Sequence, residues 1–350
     1  MNRQLAIDTV NLLPTVRPAH TEYSLGYHSD YIRALTGQEP GTPEASEALD
    51  QHWCIDFCWS VNDGLHSQWA SRGRTTEMGH ATYAADGSDQ TAPAVCPFTE
   101  PEEVWAFDPV AEYGLPDMEE QVADYQKQVD THRETRPDQL VTGGYYRSIV
   151  SGAIAAFGWD MLLVAASEPD KFETVLDGFF NFTKFHMDAW ASTDVEVIIQ
   201  HDDFVWSEGP FMHPEFYRNV IIPRYAALWK PLKEAGKKVL FCSDARFDMF
   251  MGDVAEAGAD GFIFEPVNDF GWVVENFGQT HCLVGSAVDC RDMTFGSWDQ
   301  VKATMDRTME LAARCKGLVW ACGNHLPANI PQPMMTRYID YLRNAWLAET

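Results

Sequence analysis

The chain has 350 residues, with 25 Lys plus Arg against 52 Asp plus Glu, a formal charge of −27 at neutral pH. That balance argues against a nucleic-acid binder, because phosphate recognition needs a basic footprint. With 45% hydrophobic and 13% aromatic residues, the chain can bury a full-sized core, and disorder is excluded for most of its length.

The opening stretch MNRQLAIDTVNLLPTV holds one short apolar run without a small-residue cleavage site, and nowhere do eighteen apolar residues follow one another, so a cytoplasmic protein without a membrane segment is expected. Eight cysteines at 54, 58, 96, 242, 282, 290, 315 and 322 are too sparse for a disulfide scaffold and read as reduced thiols. Residues 1–130 are crowded with turn signals such as GQEPGTPEAS, ASRGRTTEMGH, AADGSDQTAP and PFTEPEE. Within them only residues 53–61, WCIDFCWSV, read as a buried strand, which places Cys54 and Cys58 on one face, and 100–130 should hold one polar-faced helix. Residues 1–130 are therefore expected as an irregular extension packed on a body formed mainly by 131–350.

From residue 140 the pattern changes to short apolar runs alternating with amphipathic ones, the signature of βα units on a parallel sheet. Residues 140–146, 195–200, 238–242, 261–265, 282–286 and 318–322 read as six strands. Phe172, Val175, Leu176, Phe179 and Phe180 follow helical spacing after Ser167, an expected N-cap with Asp170 in the capping-box position. A helix from about Pro214 should end at Gly236 and be kinked or split by Pro223. Trp298, Val301, Met305, Met309 and Ala312 share a face of a helix opened by Ser297, with Gln300 completing a capping box. Six such units with two less obvious ones upstream predict a (β/α)8 TIM-type barrel ahead of an open doubly wound sheet, and no GxGxxG or P-loop follows any strand.

A barrel of this kind works at the C-terminal ends of its strands. Those positions are His201, Asp202 and Asp203; Cys242 and Asp244; Glu265; Asp289; and Cys322, Asn324 and His325. A mouth so rich in carboxylate, thiol and imidazole could hold a divalent cation, and zinc most readily accepts mixed S, N and O ligands with a position left open. The expected ligands are Cys242, Glu265 and Cys322, with Asp244 as a substitute. His201, Asp202, Asp203 and His325 are the expected catalytic groups, although the two aspartates could equally cap a helix, and buried cysteines are more often inert packing. Tyr145, Phe204, Trp206 and Asn324 are expected to contact substrate, the aromatic members as a wall for an apolar or cationic methylated molecule.

Several segments carry a resemblance. HDDF at 201–204, EAGKKVLFCSDAR at 234–246, GDVAEAGADGFIFEP at 252–266, LVGSAVDCRDMTFGSWDQV at 283–301 and ACGNHLPANIP at 321–331, with TEMGHATYAADGSD upstream, resemble in order the uroporphyrinogen decarboxylase superfamily. The N-terminal Arg-rich motif of the true decarboxylases is missing, and the chain looks nearer the cobalamin-dependent methyltransferases. That resemblance implies a zinc site built from an HxC pair and a late cysteine. Here Cys242 stands where the His is expected, Asp244 where the first Cys is expected, and Asn324 where the last Cys is expected, with Cys322 two residues earlier. It also implies methyl transfer from a small methoxy- or methylamine-type donor to a corrinoid protein, with zinc polarising the donor. No DxHxxG-type segment for a lower axial ligand occurs, so cobalamin should arrive on that partner. A decarboxylase and a catalytically silent barrel are the alternatives, and a homodimer is among the assemblies expected.

Overall fold

A computed structural model describes residues 1–59, 82–83, 89–90, 96–323 and 325–348. Its strands in chain order are β1 (Ala19–His20), β2 (Phe57–Cys58), β3 (Thr82–Tyr83), β4 (Asp89–Gln90), β5 (Leu140–Val141), β6 (Gly143–Tyr145), β7 (Val197–His201), β8 (Lys238–Ser243), β9 (Gly261–Phe264), β10 (Cys282–Val284) and β11 (Leu318–Trp320). Seven form one parallel sheet in the order β1-β11-β10-β9-β8-β7-β6, and β2 pairs with β5 in parallel. Only Thr142 separates β5 from β6, so the two act as one wall element. The Asp56 N–H donates to the His20 carbonyl at 2.9 Å and the Leu140 N–H to the Asp56 carbonyl at 2.8 Å. These bonds join β2 to β1 on one side and to β5 on the other, and eight parallel elements thus close a (β/α)8 barrel.

Strand residues alternate between two cores, as a closed barrel covered by helices requires. Ala19, Phe57, Leu140, Val197, Ile199, Leu240, Cys242, Ile263, Cys282, Val284 and Val319 fill the inside, and Leu5 and Val10 of helix Arg3–Val10 join them. Ile198, Val239, Phe241, Phe262, Phe264 and Leu283 face outward into the helix layer. β1 and β2 lie within residues 1–130, so that segment builds barrel wall as well as packing on it. Two-residue strands show no alternation for a pattern search to find.

The predicted helix opened by Ser297 is present as Trp298–Ala312 with its capping box complete. The segment from Pro214 runs as a short helix, a π turn over Tyr217–Ile221 and a helix Ile222–Glu234, and Gly236 follows with φ +76°. The π turn accommodates Pro223, which cannot donate to the ladder. The acidic stretch gives helix Met118–Thr135, capped by Asp117 and burying only Tyr125 and Val129, after two short helices, Pro101–Trp105 and Pro109–Tyr113. Two local expectations are corrected. Trp53 ends helix Pro43–Trp53 and Cys54 turns left-handed at φ +52°, so among the described residues of 53–61 the strand covers Phe57–Cys58 and Cys54 is outside it; residues 60–61 lie outside the described residues. Ser167 closes helix Ile149–Ala166 and Glu168 opens helix Pro169–Ala191, because Pro169 fits the first helical position. Helix Ile149–Ala166 is long and apolar enough to cross a membrane, but 72% of it is buried against the rest of the fold.

Beneath this helical layer His186 is buried and stacks on Tyr145 at 5.0 Å. Its Nδ1 takes a hydrogen bond from the Tyr125 hydroxyl at 2.8 Å, and its Nε2 meets no polar partner among the described residues. Burial pushes its pKa down to about 3. The unfolded chain then binds the proton the fold refuses, so this stability is complete above the ordinary pKa of 6.5 and is lost as pH falls below it. Between pH 7.5 and 5.5 it should cost about 1.4 kcal/mol. Urea midpoints of wild type and His186→Phe at the two pH values test this. The variant should lose that much less on acidification, and equal losses would remove His186 as the cause.

Candidate functional site

The alternation that builds the barrel also sorts the residues beyond its strands. Val197, Ile199 and His201 point inward on β7, and Asp203 continues the inward series. Leu240 and Cys242 do so on β8, followed by Asp244. His201 and Cys242 are register partners. At the mouth His201 Nε2 meets Asp203 Oδ1 at 2.9 Å, and the same oxygen accepts the Asp244 backbone N–H at 2.9 Å. One ligand atom from each of His201, Asp203 and Asp244 lies within 4.8 Å of the others, the only such group of metal-capable side chains among the described residues. Tyr146 places its ring at right angles to His201, centroids 4.1 Å apart, and Cys242 stands beside His201 on the neighbouring strand.

Burial dominates the electrostatics. It opposes a charged His201, yet the Asp203 carboxylate, helped by Cys242 and Tyr146, holds the imidazole well above its ordinary pKa. Burial, then Asp203 and Glu265, push Asp244 well above the carboxylate range against the pull of His201. Burial lifts the Cys242 thiol to about 11, which keeps it a thiol at neutral pH. The cluster therefore stores protons that a divalent cation could replace.

The loop after β8 is pinned by neighbours. Ala245 takes the left-handed conformation at φ +67°, an uncommon choice for a residue with a Cβ. Its N–H donates to Glu265 Oε2 at 2.5 Å, and its carbonyl accepts from Asn268 Nδ2 at 2.8 Å. Asn268 Oδ1 also accepts from the Phe247 and Asp248 N–H groups. These bonds aim Asp244 at the mouth. Above the cluster is a cavity of about 530 Å³ lined by Trp159, Trp206, Glu208, Glu265 and Arg291 together with Asp203 and Asp244. A hollow of about 600 Å³ on the outer wall, between Leu163, Asp170 and Phe216, contains none of the cluster.

Several expected roles are corrected. Asp202 points outward and is fully buried. It accepts the N–H groups of Ile149, Val150 and Ser151 at 3.2, 3.2 and 2.6 Å and the Tyr225 hydroxyl at 2.7 Å, so it caps helix Ile149–Ala166 and is closed to substrate. Cys322 also points outward. Its thiol lies 3.6 Å from Met293 Sδ and 3.7 Å from the Val288 carbonyl, in a hydrophobic cluster with Trp320 and Leu326, and the expected Cys242–Glu265–Cys322 ligand set does not assemble. Tyr145 is buried under the helices against His186, and Tyr146 takes the inward place. Phe204 is packed among Tyr217, Tyr225, Phe241, Phe247 and Phe250, far too enclosed to meet a substrate. His325 is buried next to His28, on the β11 side. Asn324 lies outside the described residues. Trp206 does line the cavity. Sequence reasoning missed Trp159, Glu208, Asn268 and Arg291, loop and helix residues whose direction no local pattern reveals, and it chose Tyr145 where strand parity selects Tyr146.

Residues 148–345, more than half of the chain, match the family model described as uroporphyrinogen decarboxylase (URO-D). No curated protein matches the sequence. Among solved structures, a methyltransferase from Methanosarcina mazei superposes with a TM-score of 0.65 at 16% identity, over 97% of this chain and 98% of that one; at that identity the likeness shows the fold. Two structures of D-psicose 3-epimerase are more remote. One, in the presence of D-fructose, has a TM-score of 0.38 and 11% identity over 66% of this chain and 85% of that one. The other, from Clostridium cellulolyticum H10 with D-tagatose, has 0.36 and 10% over 64% and 82%. Neither informs the site.

Two outcomes separate the cluster from its scaffold. Zinc affinity measured by calorimetry should fall by more than about 100-fold in Asp244→Asn and in His201→Ala, beyond what an outer-sphere change costs, and stay unchanged in Cys322→Ser; unchanged affinity in both cluster variants would dismiss the site. Asp202→Ala, which removes no ligand, should weaken zinc binding far less than Asp244→Asn but lower stability by about 3 kcal/mol, because four donors lose a buried acceptor, as read from the urea midpoint.

Proposed function

The chain belongs to the uroporphyrinogen decarboxylase (URO-D) family, and on that premise we propose that it is a methyltransferase, moving a methyl group from a small methylated donor in the mouth cavity to the corrinoid of a separate protein. The observation that carries this reading is the convergence of His201, Asp203 and Asp244 to within 4.8 Å at the floor of an open cavity. One imidazole and two carboxylates fit a divalent cation such as zinc with coordination positions left for another ligand. When bound there, the cation would supply Lewis-acid polarisation of a donor heteroatom.

The chain's own residues hold the geometry. Asp203 fixes the His201 ring by its hydrogen bond and Tyr146 by its ring contact, while Asn268 and Glu265 lock the loop that carries Asp244. The turn from Trp206 to Gly209, closed by reciprocal backbone hydrogen bonds of 2.7 and 2.8 Å, lines the cavity with Trp206, Ser207 and Glu208. Past the strand ends stand exposed apolar side chains: Tyr23 and Tyr27 after β1, Met249 after β8, Val267 after β9, and Phe295 after β10, the last 83% exposed. Such a rim suits a protein partner that covers the mouth and presents its corrinoid to the donor.

A decarboxylase acting on a porphyrinogen is less well supported. Asp202 is consumed as a helix cap, and the cavity offers Arg291 against four carboxylates, a poor match for a polyanionic substrate.

The test mixes the protein with reduced corrinoid proteins and a panel of methoxyarenes, methylamines and betaines while following the cobalt spectrum. Methylation of the corrinoid should require both donor and enzyme, and Asp203→Asn should lower kcat by about 100-fold, within the range of a lost electrostatic group. Phe295→Asp should raise KM for the corrinoid protein and spare free cob(I)alamin. No methyl transfer from any donor, with carbon dioxide released from a porphyrinogen, would overturn the assignment.

A further inference from the structure

The cavity above the cluster has a second wall that the metal reading leaves without a task. Trp159 and Trp206 meet there edge to face, with ring centroids 4.7 Å apart and planes at 86°, and both indoles line the cavity, making an aromatic corner in its wall. Phe211 braces Trp159 edge-on at 5.6 Å. The corner exists because helix Ile149–Ala166 breaks at Gly158, at φ 72° and ψ 163°, a conformation that only glycine adopts readily; the residue after the break is Trp159. Trp206 is 47% exposed, an indole kept open beside carboxylates when it could have been packed away.

The charge at this wall is one-sided. Asp203, Glu208, Asp244 and Glu265 line the cavity against one guanidinium, Arg291, and that guanidinium is paired with Asp289 at 3.1 Å. A divalent cation on the cluster would neutralise Asp203 and Asp244, and the two remaining carboxylates of the lining, Glu208 and Glu265, would still outnumber the one guanidinium. Two aromatic rings at right angles together with surplus carboxylates recognise a large, weakly hydrated organic cation, whose charge is spread over methyl groups that can press on the π-faces. A neutral donor gains nothing from the carboxylates, and an anion is repelled by them.

We propose that the corner of Trp159 and Trp206, with Glu208 and Glu265, is a subsite for a methylated ammonium group, and hence that the donor is an organic cation. This rests on the reading of the cavity as the donor site. A quaternary nitrogen has no lone pair for a cation on His201, Asp203 and Asp244 to polarise, so for such a donor the corner positions the methyl group and the cluster would be left to hold another heteroatom of the same molecule. Its positive charge already activates the methyl: the nitrogen keeps the pair of the broken C–N bond and leaves as a neutral amine, and the methyl carbon accepts the electron pair of the two-electron-reduced corrinoid, whose cobalt is oxidised by two electrons.

Choline and 3,3-dimethylbutanol, which replaces the charged nitrogen by carbon in the same shape, separate charge from bulk. Calorimetry on the full chain, free of metal and corrinoid, should show choline binding at least about tenfold more tightly than the alcohol. Trp206→Ala, an exposed position whose fold is checked by circular dichroism, should remove most of that preference, and Glu208→Gln combined with Glu265→Gln should reduce it further and abolish its salt dependence. Equal binding of the two molecules, or no binding of choline, overturns the subsite. Methyl transfer from a neutral methoxyarene without a choline preference would sink the subsite and leave the transferase reading standing, whereas a choline preference without methyl transfer from any donor would do the reverse.

Discussion

One buried carboxylate governs where the chemistry of this barrel is placed. Asp202 faces out of the barrel at the end of β7 and takes the first N–H groups of helix Ile149–Ala166 together with the Tyr225 hydroxyl. A fully buried carboxylate is costly unless its oxygens are filled, and the open end of a helix, with its aligned donors and positive dipole, is an efficient way to fill them. The bond fixes the strand end, the helix start and helix Ile222–Glu234, which carries Tyr225, to one another. It leaves the flanking residues no choice of direction: His201 and Asp203 must point inward. Ser151, on the first turn of the capped helix, then takes the Asp203 N–H at 2.5 Å, so the cap and the cluster share a scaffold.

This alternation explains which site residues were legible in the sequence. The strand ends were correctly located from β6 to β11, and His201, Asp203 and Asp244 were all among the residues named there. The roles were less legible, because naming a strand end does not say which of its residues look into the barrel. Tyr145 and Tyr146 are indistinguishable by composition, and the wall position that buries Tyr145 against His186 turns Tyr146 to His201. On β11, Val319 is inside and Trp320 outside, so Cys322 falls on the outer series with Trp320 and cannot join Cys242. Counting parity from the apolar positions of each strand would have made both choices.

The first two strands were illegible for a different reason. β1 and β2 have two residues each, and the barrel gap between them is spanned by one backbone bond and a side chain. Asp56 accepts Arg17 at 2.6 and 3.0 Å and the His20 N–H at 3.2 Å. Closure here depends on a specific ion pair, half shielded by Trp346, over which the Arg17 guanidinium lies at 4.8 Å. Patterns of apolar residues report burial, and a wall held by a charged side chain leaves no such trace.

The cluster itself is an electrostatic conflict that the fold maintains. Asp203, Asp244 and Glu265 are crowded together, burial pushes Asp244 well above the carboxylate range, and His201 is held charged chiefly by Asp203. Local conflicts of this kind persist where the surrounding structure over-determines the geometry, and they gather at functional sites. Here the determinants are the Asp202 cap, the Asn268 clamp and the left-handed Ala245, of which Ala245 alone lines the cavity. Replacing the conflict by apolar residues would ease the strain on the fold, since uncompensated buried charge destabilises more than packing of the same volume. The rigidity spent on holding three carboxylates around one imidazole is therefore an argument about function: the arrangement gains stability only when something positively charged enters the mouth.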